Sequence, residues 1–182
     1  MTRVTLRPVR ESDLAVFEEE FGTPAGRSEL QWFGFRSPGR DRRAYAENGM
    51  LHDDGGTLTV CAGEGDGGDG DVAGRVDWGR ASGWGPPAES WCWTIGILLR
   101  PAFRGRGIGT EAQRRLVAYL FDHTRAHRVQ AYTDTRNRAE QRALEKAGFR
   151  REGVLREAQW RAGAWHDQLL YALLRTDPHR PV

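Results

Sequence analysis

The most regular stretch of the chain runs from residue 94 to residue 121, where the hydrophobic pattern predicts a strand, a glycine loop and a helix. The apolar run from Ile95 to Leu99 has the length of a buried strand, and Pro101 ends it because proline cannot donate to a sheet ladder. After the loop, apolar residues recur every three to four positions and predict an amphipathic helix: Ile108, Ala112, Leu116, Val117, Leu120 and Phe121.

Further strands and helices are predicted along the rest of the chain. Alternating or continuous apolar runs between turn residues predict these further strands: 4–7, 57–62, 72–78, 129–134 and a terminal hairpin of 153–156 with 160–171. The spacing of Leu14, Phe17 and Phe21 predicts a first helix, for which Ser12 is the expected cap. Residues 22–54 have little periodicity and predict no regular element.

The glycine loop has the features of a phosphate site. Gly105, Gly107 and Gly109 alternate with Arg104 and Arg106, directly before the predicted helix. Glycines let the backbone approach a ligand closely, and the first N–H groups of a helix have no partner inside it. With two arginines nearby, these groups favour an anion. The Walker and dinucleotide-binding fingerprints do not fit, because the loop lacks their lysine and their spacing.

Two motifs resemble those of the GNAT acetyltransferases. The sequence R-x-x-G-x-G that starts at Arg104 resembles their acetyl-CoA pyrophosphate loop. The sequence N-x-x-x-x-x-x-L-E-K-x-G-F that starts at Asn137 resembles their fourth helix, whose asparagine contacts CoA. Asn137 with Glu140 also forms a variant of the capping box, and Gly148 is the expected C-cap, so both motifs predict structure as well as binding.

The C-terminal third extends the resemblance to the Rim-type branch, which acetylates protein N-termini and has many small-molecule relatives. The segments G-F-R-R-E-G-V-L-R and G-x-W-H-D-x-x-x-Y carry this likeness. Neighbours in a strand point to opposite faces, so His166 and Asp167 are read as structural. The resemblance covers residues 4–175 and implies one domain over residues 1–182, with a flexible tail at 176–182.

The resemblance implies an α/β (α+β) GNAT fold, with a mixed and mostly antiparallel sheet of about seven strands, about four flanking helices and splayed central strands. It implies acetyl-CoA as the cosubstrate and CoA as the product. The aspartate- and glycine-rich loop from Gly63 to Asp71 lacks the spacing of an EF-hand calcium site, so no metal is expected. A second glycine-rich loop runs from Gly79 to Ser90. The positions that the resemblance implies for cofactor binding are Ile97, Leu98, Leu99, Arg104, Gly105, Arg106, Gly107, Ile108, Gly109, Thr110 and Asn137.

In this family a backbone N–H of the splayed strand stabilises charge on the thioester oxygen, and side chains move the protons. The sequence departs from the family at the usual acid and base positions, which here are Thr94, Leu144, Glu140 and Gln159. The carboxylates that remain as candidates for proton transfer are Glu140, Asp77, Glu89 and Glu157. The aromatic residues that could line the acceptor pocket, or else pack in the core, are Trp32, Phe33, Trp78 and Trp93.

Composition narrows the function classes. The 27 basic and 25 acidic residues nearly cancel to a formal charge of +2, so no nucleic-acid partner is expected. Cys61 and Cys92 form no disulfide framework, and no apolar run is long enough to span a membrane, so the chain is expected to be a soluble cytoplasmic protein.

Two functions stay open on the sequence alone. The first is an N-acetyltransferase that acts on a small-molecule amine or a protein N-terminus, with a homodimer as a possible assembly. The second is a non-catalytic module that binds acyl-CoA, because the usual acid and base are missing.

Overall fold

A computed structural model describes residues 2–37, 39–63, 70–81 and 90–178 of the chain. The strands are β1 Val4–Pro8, β2 Leu51–His52, β3 Gly55–Ala62, β4 Asp71–Ala81, β5 Cys92–Leu99, β6 Arg128–Asp134, β7 Arg150–Arg161 and β8 Ala164–Leu174. The helices are α1 Glu11–Phe21, α2 Pro24–Arg27, α3 Arg40–Asn48, α4 Ile108–His123 and α5 Arg138–Ala147, with one 3₁₀ turn at Pro101–Phe103. Parts of both glycine-rich loops, with Glu89, and residues 179–182 of the expected tail lie outside the described residues.

The strands form one open sheet in the order β1-β3-β4-β5-β6-β8-β7, with β2 beside β3. Every neighbouring pair is antiparallel except β5 and β6, which are parallel. This confirms the mixed, mostly antiparallel sheet. The short elements α2, α3 and β2 fall in the stretch 22–54, for which no regular element was predicted.

The central strands splay as the resemblance implies. β5 pairs with β6 only at Trp93, Thr94 and Ile95. From Gly96 to Leu99 the register gives β5 no partner on β6, although its pairing with β4 continues. One edge of β5 is therefore open in the middle of the sheet, directly before the glycine loop.

Each face of the sheet carries an apolar core. On one face, Leu116 and Leu120 of α4 are fully buried. Trp78 packs edge-to-face on Tyr119 with ring centroids 5.8 Å apart, and Trp93 donates from Nε1 to Thr124 Oγ1 at 3.1 Å. Both tryptophans thus belong to the core beneath α4. On the other face, residues of α1 and its surroundings form a second cluster: Val9, Leu14, Phe17, Phe21, Met50 and Leu98.

The predicted ends of two helices have different outcomes. Asn137 Oδ1 accepts from Glu140 N at 3.2 Å and Gly148 ends α5 with φ +104°, so both caps of α5 are confirmed. The Ser12 cap is wrong, because α1 begins at Glu11. Asp13 receives the N–H of Arg10 at 2.9 Å in its place.

Cys61 and Cys92 are buried thiols rather than halves of a disulfide. Within the described residues, no helix combines the length and the apolar character needed to cross a bilayer.

Candidate active site

The glycine loop presents bare backbone at the start of α4. Gly105 and Gly107 have φ of +71° and +78°, values that favour glycine, and a Cβ at either position would meet no atom within 4 Å. The first bond of the helix is from Glu111 N to Gly107 O at 3.2 Å. The amides of residues 108–110 precede it, so they have no acceptor within the helix. The loop therefore offers free N–H groups and the positive end of a 16-residue helix.

These groups open onto a cavity of about 540 Å³, called here the glycine-loop cleft. Its lining includes most of the positions predicted for the cofactor: Ile97, Leu99, Arg104, Gly105, Gly107, Gly109, Thr110 and Asn137. The other lining residues come from α5 and from the segment around α2: Ala139, Glu140, Arg142, Ala143, Lys146, Arg27, Ser28, Leu30 and Gln31. The small side chains of Ala139 and Ala143 leave room along α5.

Three predicted cofactor positions do not line the cleft. Leu98 points to the opposite face of the sheet, into the cluster beside α1. Ile108 is 1% exposed because it begins the apolar stripe of α4. Arg106 lies on the outside of the loop, where its guanidinium sits 5.7 Å from the centroid of the Phe103 ring.

Arg104 fixes the shape of the loop. Its Nε donates to Leu99 O at 2.9 Å, and its Nη2 donates to Gly26 O. Burial lowers the pKa of this guanidinium, but an arginine stays charged. Arg104 thus ties the loop to the end of β5 and to α2, and places a positive charge in the wall of the cleft.

The open edge of β5 points its backbone groups into the cleft. Ile97 O accepts from Gln31 Nε2 at 3.3 Å, and Leu99 O accepts from Arg104 Nε. In an antiparallel pair, residues whose carbonyls point away from the partner strand also point their N–H groups away from it. The amides of Ile97 and Leu99 are therefore directed away from β4, toward the gap between β5 and β6.

Glu140 has an unusual environment for a carboxyl group. It is the third residue of α5, is half-buried, and accepts from Gln113 Nε2 at 2.6 Å. Burial raises its pKa to about 7, although the hydrogen bond from Gln113 opposes the shift. The reciprocal arm of a capping box would point at Asn137 N, but this amide donates to Asp134 O at 2.9 Å. Glu140 thus lies in the cleft close to its protonation midpoint at neutral pH.

The side chain of Asp77 lies on the face of the sheet opposite α4, next to a glycine of β5. It pairs with Gly96 of β5, which is exposed and whose missing Cβ would meet no atom within 4 Å. Thr57 Oγ1 donates to Asp77 Oδ1 at 2.9 Å, and Arg75 Nε lies 3.6 Å away. The Asp77 carboxylate, with Trp78 beside it, lines a separate cavity of about 390 Å³.

The remaining predicted residues are scattered. Glu157 is exposed at a bulge of β7, where its N–H donates to Asp167 Oδ1 at 2.8 Å, and it lines none of the cavities described here. Phe33 is 45% exposed and also lies outside them. Trp32 lines a third cavity of about 670 Å³. His166 Nε2 lies 3.1 Å from Arg161 O, consistent with a structural role.

Two residues of the site were not predicted from the sequence. Gln113 could have been recognised, because it is a polar residue between Gly109 and Val117 on the buried side of α4, where it is 1% exposed. Arg27 could not, because it lies in the stretch without periodicity. It lines both the glycine-loop cleft and the 670 Å³ cavity.

Comparison with known proteins gives one family and several relatives. A family model described as an acetyltransferase (GNAT) domain matches residues 3–150. The chain is 42% identical over 83 residues to YjcK and 32% identical over 83 residues to YdaF, both of Bacillus subtilis strain 168. YjcK is provisionally named an N-acetyltransferase, and YdaF a ribosomal N-acetyltransferase. Each match covers 46% of this chain, with 46% of YjcK and 45% of YdaF, so the chain spans about half the length of these relatives.

Solved structures share the fold. A spermidine N-acetyltransferase of Vibrio cholerae, in complex with CoA and spermine, superposes with a TM-score of 0.77 at 18% identity, over 96% of either chain. RimJ of Mycobacterium smegmatis, in complex with CoA-disulfide, gives a TM-score of 0.71 at 24% identity, over 94% of this chain and 82% of RimJ. The names of RimJ and YdaF are consistent with the Rim-type branch.

Proposed function

The chain belongs to the GNAT acetyltransferase family, and from this premise we propose that it transfers the acetyl group of acetyl-CoA to a primary amine, of a small molecule or of a protein N-terminus. One observation carries the proposal. The bare glycine loop and the unpaired edge of β5 open onto the same cleft. A loop suited to phosphate and the two amides of Ile97 and Leu99, which have no partner on β6, thus face one cavity.

The residues of the cleft fit CoA. The amides of the glycine loop and the positive end of α4 suit the pyrophosphate. Gly105 and Gly107 have no side chains, so the ligand can approach their backbone closely. Arg142 and Lys146 add two cations along α5. The edge of β5 from Ile97 to Leu99 would hold the amide-containing arm of CoA by backbone hydrogen bonds.

Acetyl-CoA, when bound, supplies an activated thioester, so the amine nitrogen bonds directly to the acetyl carbon and the carbon–sulfur bond breaks. The N–H of Ile97 is directed into the gap where negative charge develops on the thioester oxygen. One such donor accelerates acyl transfer by about 10²- to 10³-fold. No covalent enzyme adduct is required.

We propose two carboxyl groups for the proton transfers. Asp77, beside the exposed backbone of Gly96, accepts the proton that the amine loses and passes it to solvent. Glu140 holds a proton near neutral pH, because burial raises its pKa to about 7. It gives this proton to the departing sulfur and recovers one from solvent, so that one amine and one acetyl-CoA yield one amide and one CoA thiol.

The direct test is release of CoA thiol from acetyl-CoA by the purified protein, with a panel of amines and mass spectrometry of the products. The panel contains spermidine, free amino acids and short peptides with free N-termini. Acetylation of any primary amine supports the proposal. Tight binding of acetyl-CoA without transfer to any amine would leave the non-catalytic acyl-CoA-binding module as the better account.

A further inference from the structure

The 670 Å³ cavity adjoins the glycine-loop cleft, and Arg27 lines both. The cavity lies among α1, the start of α3 and the segment between α2 and α3. Four aromatic side chains contribute to its walls: Phe17, Phe21, Trp32 and Phe35. The rings of Trp32 and Phe35 meet edge-to-face with centroids 5.3 Å apart. A ligand here would have an apolar body in contact with these rings, next to the place where CoA is proposed to bind.

The charges of this cavity are unbalanced. Arg42 forms an ion pair with Glu18 at 2.9 Å, and Asp41 is paired with Arg75 at 2.7 Å, so both acidic residues of the lining are already neutralised. Three further arginines line the cavity: Arg27, Arg36 and Arg40. None of the three has an ion pair with any residue in the part of the chain that the structure describes.

Arg27 is the most informative of them. It is only 9% exposed. Its Nε donates to Phe21 O at 2.7 Å, at the C-terminal end of α1, where a cation is favourable. Its two terminal nitrogens have no hydrogen-bond partner among the described residues. Burial, Arg36 and Arg75 lower the pKa of this guanidinium to about 10, although Asp41 and Asp77 oppose the shift.

The terminal nitrogens of Arg27 are open to the cavities that it lines, because they are not among the fully buried atoms of the described residues, and one end-of-helix carbonyl balances only part of the charge. An anion between the two terminal nitrogens of Arg27 would satisfy both, because guanidinium binds carboxylates in this forked geometry. The same three arginines would repel a polycation.

We propose that this cavity holds the acceptor, and that it selects an amine which carries a carboxylate or similar anionic group on an apolar body. This inference rests on the proposed function and names the class of its second substrate. In it, Arg27 binds the anionic group, Arg36 adds long-range attraction, and the aromatic walls contact the apolar body.

The test uses matched probes that need no turnover. Calorimetry measures binding of 3-phenylpropionate, phenethylamine and spermidine to the full chain saturated with CoA. The carboxylate should bind at least tenfold more tightly than either amine probe. Arg27→Gln and Arg36→Gln should each weaken it at least threefold, whereas Arg125→Gln, an exposed arginine outside the cavity, should not.

Kinetics then tests the same selection in catalysis. In the wild type, L-phenylalanine should show a lower KM than phenethylamine. Arg27→Gln should bring the two KM values closer together, while the Kd for acetyl-CoA stays the same. Arg36→Gln serves as the second variant if Arg27→Gln does not fold, because Arg36 is exposed.

Three results would overturn the inference. The first is equal or tighter binding of spermidine than of the carboxylate. The second is a loss of stability in Arg27→Gln with no change in selectivity, which would leave only the role at the end of α1. The third is a weaker Kd for CoA in Arg27→Gln with unchanged amine selectivity, which would assign Arg27 to a CoA phosphate. None of these contradicts acetyl transfer, which fails only if acetyl-CoA does not bind or is not used.

Discussion

Gln113 on α4 donates a hydrogen bond from Nε2 to Oε1 of Glu140 on α5, over 2.6 Å. The bond joins the two helices whose first turns border the glycine-loop cleft. Gln113 is 1% exposed, and its Oε1 is buried without a partner among the described residues. With the amide turned around, that oxygen would accept the O–H of a protonated Glu140. Gln113 can therefore stabilise either protonation state of the carboxyl group.

Glu140→Gln tests the acid role of this carboxyl group. If the protonated form assists departure of the thiol, kcat of the wild type should fall as pH rises through about 7, the pKa that burial gives Glu140. The variant should lose that limb and show a kcat lower by about 10²-fold at pH 6. Steady-state kinetics between pH 6 and pH 9 measures both effects. An unchanged kcat across this range would leave Glu140 with a structural role at the start of α5.

The same substitution should change stability with pH in a defined direction. The pKa of Glu140 is higher in the folded chain than in the unfolded chain, so the folded chain binds more protons between these two values. The stability linked to Glu140 is complete below the unfolded pKa and is lost as pH rises through about 7. At pH 8, Glu140→Gln should therefore raise the free energy of unfolding by an amount on the order of 2 kcal/mol. The melting temperature at pH 8 should rise with it. A lower melting temperature at pH 8 would contradict the burial argument.

Asp77→Asn tests the proposed base. The variant should lower kcat by about 10- to 10³-fold, while the Kd of acetyl-CoA stays the same, because Asp77 lies outside the glycine-loop cleft. Asp71→Asn is the matched control, since Asp71 is exposed at the start of the same strand. If both variants keep the activity of the wild type, the amine does not depend on Asp77 for loss of its proton.

The ion pair of Arg161 with Asp134 should stabilise the wall of the glycine-loop cleft. Their side chains are 1% and 2% exposed, and Arg161 Nη1 also donates to Leu30 O at 3.0 Å, in the wall of the cleft. Removing one partner of a buried pair costs about 3–5 kcal/mol, so Arg161→Met should lower the melting temperature sharply and weaken CoA binding. Arg156→Met, on an exposed position of β7, is the control. Equal melting temperatures for the two variants would contradict this role.

Asp134 gives that pair a pH dependence. Burial alone would raise its pKa, but hydrogen bonds from Arg161 and Arg136 lower it overall. Its contribution to stability is therefore present above the unfolded pKa and lost as pH falls through the lower folded value. In Arg161→Met, acid unfolding should begin at a higher pH than in the wild type, which a circular dichroism titration measures.

The predictable part of the fold is the part with strong periodicity and clear end signals. The unit of β5, the glycine loop and α4 follows from its apolar stripe, and α5 follows from Asn137 and Gly148. In contrast, α3 buries none of its residues, so it has no apolar stripe to recognise. The start of α1 was misplaced because the Asp13 carboxylate receives Arg10 N and also bonds to Arg7 and Thr59, contacts that depend on β1 and β3.

The candidate site divides in the same way. The glycines and Asn137 belong to motifs and were predicted from the sequence. Side-chain direction was not predictable, which is why Arg106 lies outside the cleft while Arg104 lies in its wall. Long-range contacts were also out of reach, since Gln31 meets Ile97 across 66 positions. Arg27 is recognisable only once its burial and its missing counterion are known.

The central claim is that the glycine loop binds the pyrophosphate of acetyl-CoA, and calorimetric titration of acetyl-CoA tests it most directly. Three proteins are compared: the wild type, Gly107→Asp and Gly163→Asp. Gly163 has φ +79°, close to the +78° of Gly107, but lies in the hairpin between β7 and β8, outside the cleft. Both variants thus carry the same backbone strain, and only Gly107→Asp adds bulk and negative charge to the loop.

We expect a Kd in the range of about 1–100 μM for the wild type and for Gly163→Asp. Gly107→Asp should show no measurable binding, in a chain that still unfolds cooperatively. A folded wild type that binds no acetyl-CoA would contradict pyrophosphate binding at the glycine loop, and so would a Gly107→Asp variant that binds it as tightly as Gly163→Asp.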